Sequence, residues 1–245
     1  MLQTHLARYR LAEPLVQGAM VLDAGCGCGY GTHHLVTNGA KGAVGIDLSP
    51  EAIDYARQHY VAPGLSYQVM DVTSLEFPDE TFDAAVCLEV FEHVPDHQGM
   101  LREVWRVLKP DGHIVISTPN GRVFSPKGRP INPWHVREFS REEFVDALSP
   151  HFRDLEIWGQ TVKAPGTLLA TLLHLRMQRY ITEHDSRSSR IIESVYGWTL
   201  KAAMASSRWA LGAMKEDPNV IRHADGIPDQ RTWYFIATGR KKNER

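Results

Sequence analysis

The chain has 245 residues, 43% of them hydrophobic and 23% charged, a balance that fits one globular core, or one core plus an insertion. A formal net charge of -2 excludes a global positive field that would recruit nucleic acid. Cys26, Cys28 and Cys87 form no even-numbered disulfide framework, so a reducing, cytoplasmic setting is expected.

The N-terminus, Met1 to Arg10, mixes charged and apolar residues and lacks the apolar core of a signal peptide. Short apolar runs then alternate with amphipathic stretches, the pattern of a parallel sheet with crossover helices. The expected strands are Met20–Ala24, Ala43–Asp47, Leu65–Val69, Phe82–Leu88 and His113–Thr118. Ser49, Pro50 and Glu51 read as an N-cap and first helical turn leading into Ala52–Tyr60. A second helix opens at Pro95 and Asp96, with Met100, Leu101, Val104, Val107 and Leu108 at helical spacing. Lys109-Pro110-Asp111-Gly112 stops it.

Thr118 to Phe139 carries four prolines (Pro119, Pro126, Pro130, Pro133) and reads as a long ordered loop, a kind that is usually functional. Ser140-Arg141-Glu142-Glu143 is a capping box that starts a helix through Leu148. Phe152–Trp158 and Arg231–Gly239 are the last expected strands. Between them lie a mainly helical segment, Pro165 to Ala213, and a polar loop. Its most apolar stretch, Leu168 to Leu175, is too short to span a bilayer, which takes about 20 residues.

The chemistry concentrates where strands end. Val21 and Leu22 deliver Asp23-Ala24-Gly25-Cys26-Gly27-Cys28-Gly29, and a helix begins near Tyr30. Alternate glycines let the backbone pass tightly beneath a ligand, and the helix start offers unpaired N–H groups to an anion. The Asp-x-Gly-x-Gly-x-Gly spacing departs from the Gly-x-Gly-x-x-Gly of dehydrogenases. Asp47 ends the second strand, where an acid can take both ribose hydroxyls, and Asp71 follows the third, placed to accept from an adenine amino group. Cys26 and Cys28 beside His33 and His34 do not make a zinc site, because adjacent helical residues diverge by roughly 100°.

Leu-Asp-Ala-Gly-Cys-Gly, Gly-Ile-Asp-Leu-Ser and Leu-Lys-Pro-Asp-Gly-His-Ile-Val-Ile, in this order, resemble the motifs of class I S-adenosylmethionine-dependent methyltransferases across Val21 to Trp158. The resemblance implies a doubly wound α/β Rossmann-like sheet of seven strands with a helical insertion before the last. It places a cofactor-binding core at 1–164, the insertion at 165–228, and the last strand and tail at 229–245. It also implies S-adenosylmethionine as cofactor. Asp23, Gly25 and Gly27 would cradle its methionine end, Asp47 its ribose, and Asp71 with Val72 its adenine. Tyr9, Cys26, Leu48 and Glu89 join the same set. His5-Leu6-Ala7-Arg8-Tyr9 resembles an element that covers the cofactor in some bacterial relatives, although an amphipathic surface helix reads the same way.

On the acceptor side, Glu89, Glu92 and His93 would share one face if their segment were helical. With His135 they resemble the metal set of small-RNA 3′-end 2′-O-methyltransferases, and a Glu-x-x-Glu-His motif also occurs in ubiquinone-biosynthesis O-methyltransferases. Glu89, Glu92, His93 and His135 are therefore metal candidates, with magnesium the ion named, and His93 and His135 are candidate catalytic bases. Metal-free and purely structural roles are alternatives. The stretch after Pro119 resembles methyltransferases of sugar and cell-surface glycan pathways, which favours a hydroxylated or saccharide acceptor. The competing readings are 2′-O-methylation of an RNA 3′ end, against which the near-neutral charge counts, and a non-catalytic cofactor-binding subunit. In the insertion, Trp198, Leu200, Met204, Trp209, Leu211 and Met214 read as core, an acceptor lid or a homodimer interface.

Overall fold

A computed structural model of the chain describes residues 2–125, 128–162, 219–226 and 232–243. Eight strands form one sheet: β1 (Met20–Ala24), β2 (Gly42–Asp47), β3 (Leu65–Val69), β4 (Phe82–Cys87), β5 (Leu108–Pro119), β6 (Phe152–Val162), β7 (Asn219–His223) and β8 (Tyr234–Lys241). Their order is β3-β2-β1-β4-β5-β8-β6-β7. The first five are parallel, and β8 pairs antiparallel with both β5 and β6. Six helices accompany them among the described residues: α1 (Leu2–Ala12), α2 (Tyr30–Thr37), α3 (Pro50–His59), α4 (His97–Val107), α5 (Gly121–Phe124) and α6 (Arg141–Leu148).

The central strands are nearly continuous apolar runs because both faces are covered. Successive residues serve opposite faces. Leu22 joins a core with Ile46, Phe82, Met100, Phe139 and Phe235, whereas Val21 joins one with Tyr9, Leu35, Val86, Val115 and Ile236. The helices start where their caps dictate. The Ser49 hydroxyl accepts from Ala52 N at 3.1 Å, and the Asp96 carboxylate accepts from Gly99 N at 2.8 Å. Ser140 and Glu143 close the expected capping box.

Three expectations change. The sheet has eight strands rather than seven, because 219–223, read as part of a polar loop, pairs antiparallel with β6. β5 begins at Leu108 rather than His113, since the chain after α4 continues extended through an irregular pairing opposite Phe82 and Ala84. The loop after Thr118 contains α5 and closes on itself, with Gly121 N donating to Phe139 O at 2.8 Å. The helical segment expected from Pro165 to Ala213, with its lid and dimer roles, lies outside the described residues. Among the described residues, no helix is long and apolar enough to cross a membrane.

Sheet order reverses between β1 and β4, and ligands of open α/β sheets bind in the crevice beyond the carboxyl ends at that point. Gly25, Asp47, Asp71 and Glu89 all follow such strand ends.

Candidate functional site

A cavity of about 530 Å³ lies over this crevice. Gly25, Asp47, Leu48, Asp71, Val72, Glu89 and His93 are among its lining residues. Gly25 brings the glycine loop to its wall through close approach. Gly25 has φ 76°, and a Cβ there would lie 2.8 Å from Val90 Cβ, so a larger residue would be strained and would displace Val90. Gly25 N and Cys26 N both donate to Ile46 O, at 2.8 and 2.9 Å. Asp47 clamps the loop from β2: its Oδ2 accepts from Gly27 N and its Oδ1 from Ser49 N, each at 2.9 Å. A carboxylate has about four acceptor positions, so capacity remains for a ligand. Asp71 Oδ1 accepts from Thr73 N and Thr73 Oγ1, at 2.8 and 2.7 Å.

Four expected cofactor residues, Tyr9, Asp23, Cys26 and Gly27, do not line the cavity, and the first three are buried. Asp23 is fully buried beneath the loop, where its carboxylate accepts from Thr32 Oγ1 at 2.7 Å and from the Tyr9 hydroxyl at 3.2 Å. Burial raises its pKa to about 7, the nearby Asp47 charge adds to this, and the two hydrogen bonds oppose it. Tyr9 packs over Gly31 and is itself buried. The Cys26 side chain is buried near Gly45, and burial pushes its thiol pKa upward. These three build the loop from behind.

The His-x-x-Arg-Tyr element sits on α1 and supplies three anchors. His5 Nδ1 lies 2.8 Å from the Tyr30 hydroxyl, and Tyr9 reaches Asp23. Arg8, missed as a site residue, is fully buried: it lies 3.1 Å from Glu89 Oε1, its Nε donates to Gln160 at 2.8 Å, and its guanidinium lies 4.0 Å above the Tyr234 ring.

Glu89 is not part of a helical face. Only Phe91–His93 forms a single 3-10 turn, and Glu89 has φ 57°, a left-handed conformation rare for a side-chain-bearing residue. Ser117 Oγ accepts from Glu89 N and donates to Glu89 Oε1, at 3.1 and 2.8 Å. Glu89 is thus committed to Arg8 and Ser117 and stands apart from the metal group in which it was expected.

Glu92, His93 and His135 do come together, with donor atoms all within 4.8 Å of one another. Glu92 Oε1 lies 4.0 Å from Nε2 of each histidine. Both carboxylate oxygens of Glu92 are buried without a hydrogen-bond partner. Burial and the neighbouring Glu89 charge raise its pKa well above the usual range. Both imidazoles are oriented from behind. His93 Nδ1 lies 2.9 Å from Trp134 O, a carbonyl that can only accept, so Nδ1 carries the proton and Nε2 a lone pair. Burial lowers the His93 pKa. The segment bearing His135 is fixed to the turn by Val136 N, which donates to Glu92 O at 2.9 Å. Sequence spacing does not reveal Arg8, Ser117, Gln160 or Glu138 as site residues, because each reaches the site from a separate element.

Residues 22–116 match the family model described as a methyltransferase domain. A protein described as a probable S-adenosylmethionine-dependent methyltransferase of Mycobacterium tuberculosis is 34% identical over 145 residues, covering 59% of this chain and 52% of that protein. A ubiquinone biosynthesis O-methyltransferase of Xanthomonas axonopodis pv. citri is 40% identical over 106 residues, covering 42% of this chain and 44% of that protein. The chain thus spans about half the length of these curated relatives. An S-adenosylmethionine-dependent methyltransferase structure from Thermotoga maritima superimposes with a TM-score of 0.63 at 17% identity, covering 97% of this chain and 89% of that one, and so shares the fold.

Proposed function

We propose that this chain, whose residues 22–116 are a class I S-adenosylmethionine-dependent methyltransferase domain, methylates oxygen on a small hydroxylated or sugar-like acceptor. The observation that carries the reading is the juxtaposition of the two halves of the cavity. Asp47 and Asp71 stand at its cofactor end, and Glu89 and His93 line it beside Glu92 and His135. Asp47 would take the ribose hydroxyls and Asp71 with Val72 the adenine, while the glycine loop holds the methionine end close.

Methyl transfer needs the acceptor oxygen in line with the bond to the sulfur, so much of the enzyme's contribution is alignment. The acceptor hydroxyl must also lose its proton. His93 holds an unprotonated Nε2 beside Glu92 and can receive it, as can His135 once Asn132 Nδ2, 2.7 Å from its Nε2, gives way.

The same residues fit a divalent cation. Glu92 is a buried carboxylate with no partner, a costly arrangement that a cation would relieve. The imidazole nitrogens stand 4.0 Å from it, so loading would draw the donors somewhat closer. Two imidazoles and one carboxylate suit manganese, iron, cobalt or zinc better than magnesium, which prefers oxygen donors. When bound, such an ion would supply Lewis acidity toward two vicinal hydroxyls. The terminal diol of RNA offers the same pair of oxygens, so it belongs among the acceptors tried.

The test is release of S-adenosylhomocysteine across sugars, phenols, RNA 3′ ends and amines, with and without divalent ions. Turnover confined to hydroxylated acceptors supports the proposal. Turnover on amines alone overturns oxygen as the target, and tight cofactor binding without any turnover supports the non-catalytic reading.

A further inference from the structure

Behind His135 lies a hydrogen-bonded chain that the proposed chemistry does not itself require. Its Nδ1 is 2.6 Å from Glu138 Oε1, and Glu138 Oε2 accepts from Ser125 Oγ at 2.5 Å. The Glu138 carboxylate is completely buried. On the other side of the ring, Asn132 Nδ2 lies 2.7 Å from His135 Nε2, while Asn132 Oδ1 accepts from Trp134 N at 3.1 Å.

These contacts determine where the imidazole proton sits. The Trp134 amide can only donate, so it fixes the Asn132 oxygen toward itself and turns the amide nitrogen toward His135. Nε2 must then accept, and the ring proton must be on Nδ1, where a carboxylate receives it. We propose that Glu138 is the positioning residue of the acceptor site: it holds His135 in the Nδ1–H form and thereby keeps the Nε2 lone pair unprotonated beside Glu92 and His93. The role rests on the function proposed above and is the same whether Nε2 takes a proton or ligates a cation. A carboxylate on the far nitrogen fixes the tautomer and the ring orientation in either case. Asn132 caps that lone pair until an acceptor or ion replaces it. Ser125 fills the second carboxylate oxygen, so that Glu138 is not left half-satisfied in the interior.

The prediction concerns protonation at one ring, and nitrogen-15 NMR of the imidazole reads it directly. In the wild-type chain the His135 resonances should show the Nδ1–H tautomer. In an Asn132→Ala background, where no amide donates to Nε2, Glu138→Ala should lose it. Glu138→Gln, whose side-chain carbonyl can still accept from Nδ1, should retain it, and it also serves if the alanine variant does not fold. With cobalt(II) as probe, Glu138→Gln should bind about 10–100-fold more weakly than wild type, because the orienting charge is gone. An Nε2–H tautomer in the wild type, or an unchanged tautomer in folded Glu138→Ala made in the Asn132→Ala background, would overturn the assignment. Should the wild type bind no cobalt yet show the tautomer response, the assignment of Glu138 is supported and only the cation leaves the proposed function.

Discussion

Arg8 and Glu89 meet 3.1 Å apart although one lies on the first helix and the other follows β4. Arg8 is fully buried, and Glu89 retains 14% side-chain exposure at the cavity wall. The pair ties the N-terminal helix to the lining of the cofactor cavity, and it accompanies the unusual left-handed backbone of Glu89.

Removing the cation should therefore be costly. Arg8→Ala is expected to lower unfolding free energy by about 3 kcal/mol, the low end for breaking a buried pair, since Glu89 keeps some contact with water. Arg8→Lys should fall between, because an ammonium keeps the charge but cannot reproduce the planar guanidinium over Tyr234. Urea denaturation measures both. Calorimetry with S-adenosylhomocysteine should show weaker binding in the same order.

Asp23 gives a pH signature. Its folded pKa of about 7 lies above the 3.8 of a free aspartate, so the folded state holds a proton that the unfolded chain releases. The resulting stability is complete below about pH 4 and is lost as pH rises through about 7. Asp23→Asn carries no titrating proton and should flatten this part of the profile. Melting temperatures between pH 5 and 8 would show it, and an identical slope in the two proteins would contradict the assignment.

A double-mutant cycle tests the seat of Tyr9. A Cβ on Gly31 would come within 1.9 Å of the Tyr9 ring, so Gly31→Ala should destabilise by roughly 1–3 kcal/mol. In a Tyr9→Ala background the space exists, and the same substitution should have much less effect. Additive losses would mean that Gly31 matters for another reason.

Glu92 should show opposed effects on stability and activity. Glu92→Gln replaces a buried carboxylate that has no partner with a neutral group of the same shape, so metal-free protein should melt at a higher temperature. Turnover should fall by at least about tenfold. A lower melting temperature would show that the Glu92 carboxylate has stabilising contacts in solution.

The cofactor half was legible in the chain because its determinants are local. Gly25, Gly27 and Asp47 are each set by strand, turn or cap signals in their own neighbourhood, and Gly27 N and Asp47 Oδ2, 20 residues apart, meet at 2.9 Å. Even there, burial separated Asp47, which lines the cavity, from Asp23, which supports the loop from beneath. The extra strand β7 was missed because a five-residue edge strand carries little periodic signal of its own.

By itself the sequence determined the order of every strand but β7, the glycine loop and the histidines and acids available to the acceptor side. Tertiary structure alone decided which of them act together. Glu89 leaves the expected metal group because Arg8 and Ser117, distant in sequence, claim its carboxylate. His135 joins that group because the loop after β5 folds back onto the turn that carries Glu92. Spacing along the chain specifies which face of an element a side chain occupies. The partner that neutralises a buried charge is chosen only when separate elements pack and water is excluded between them.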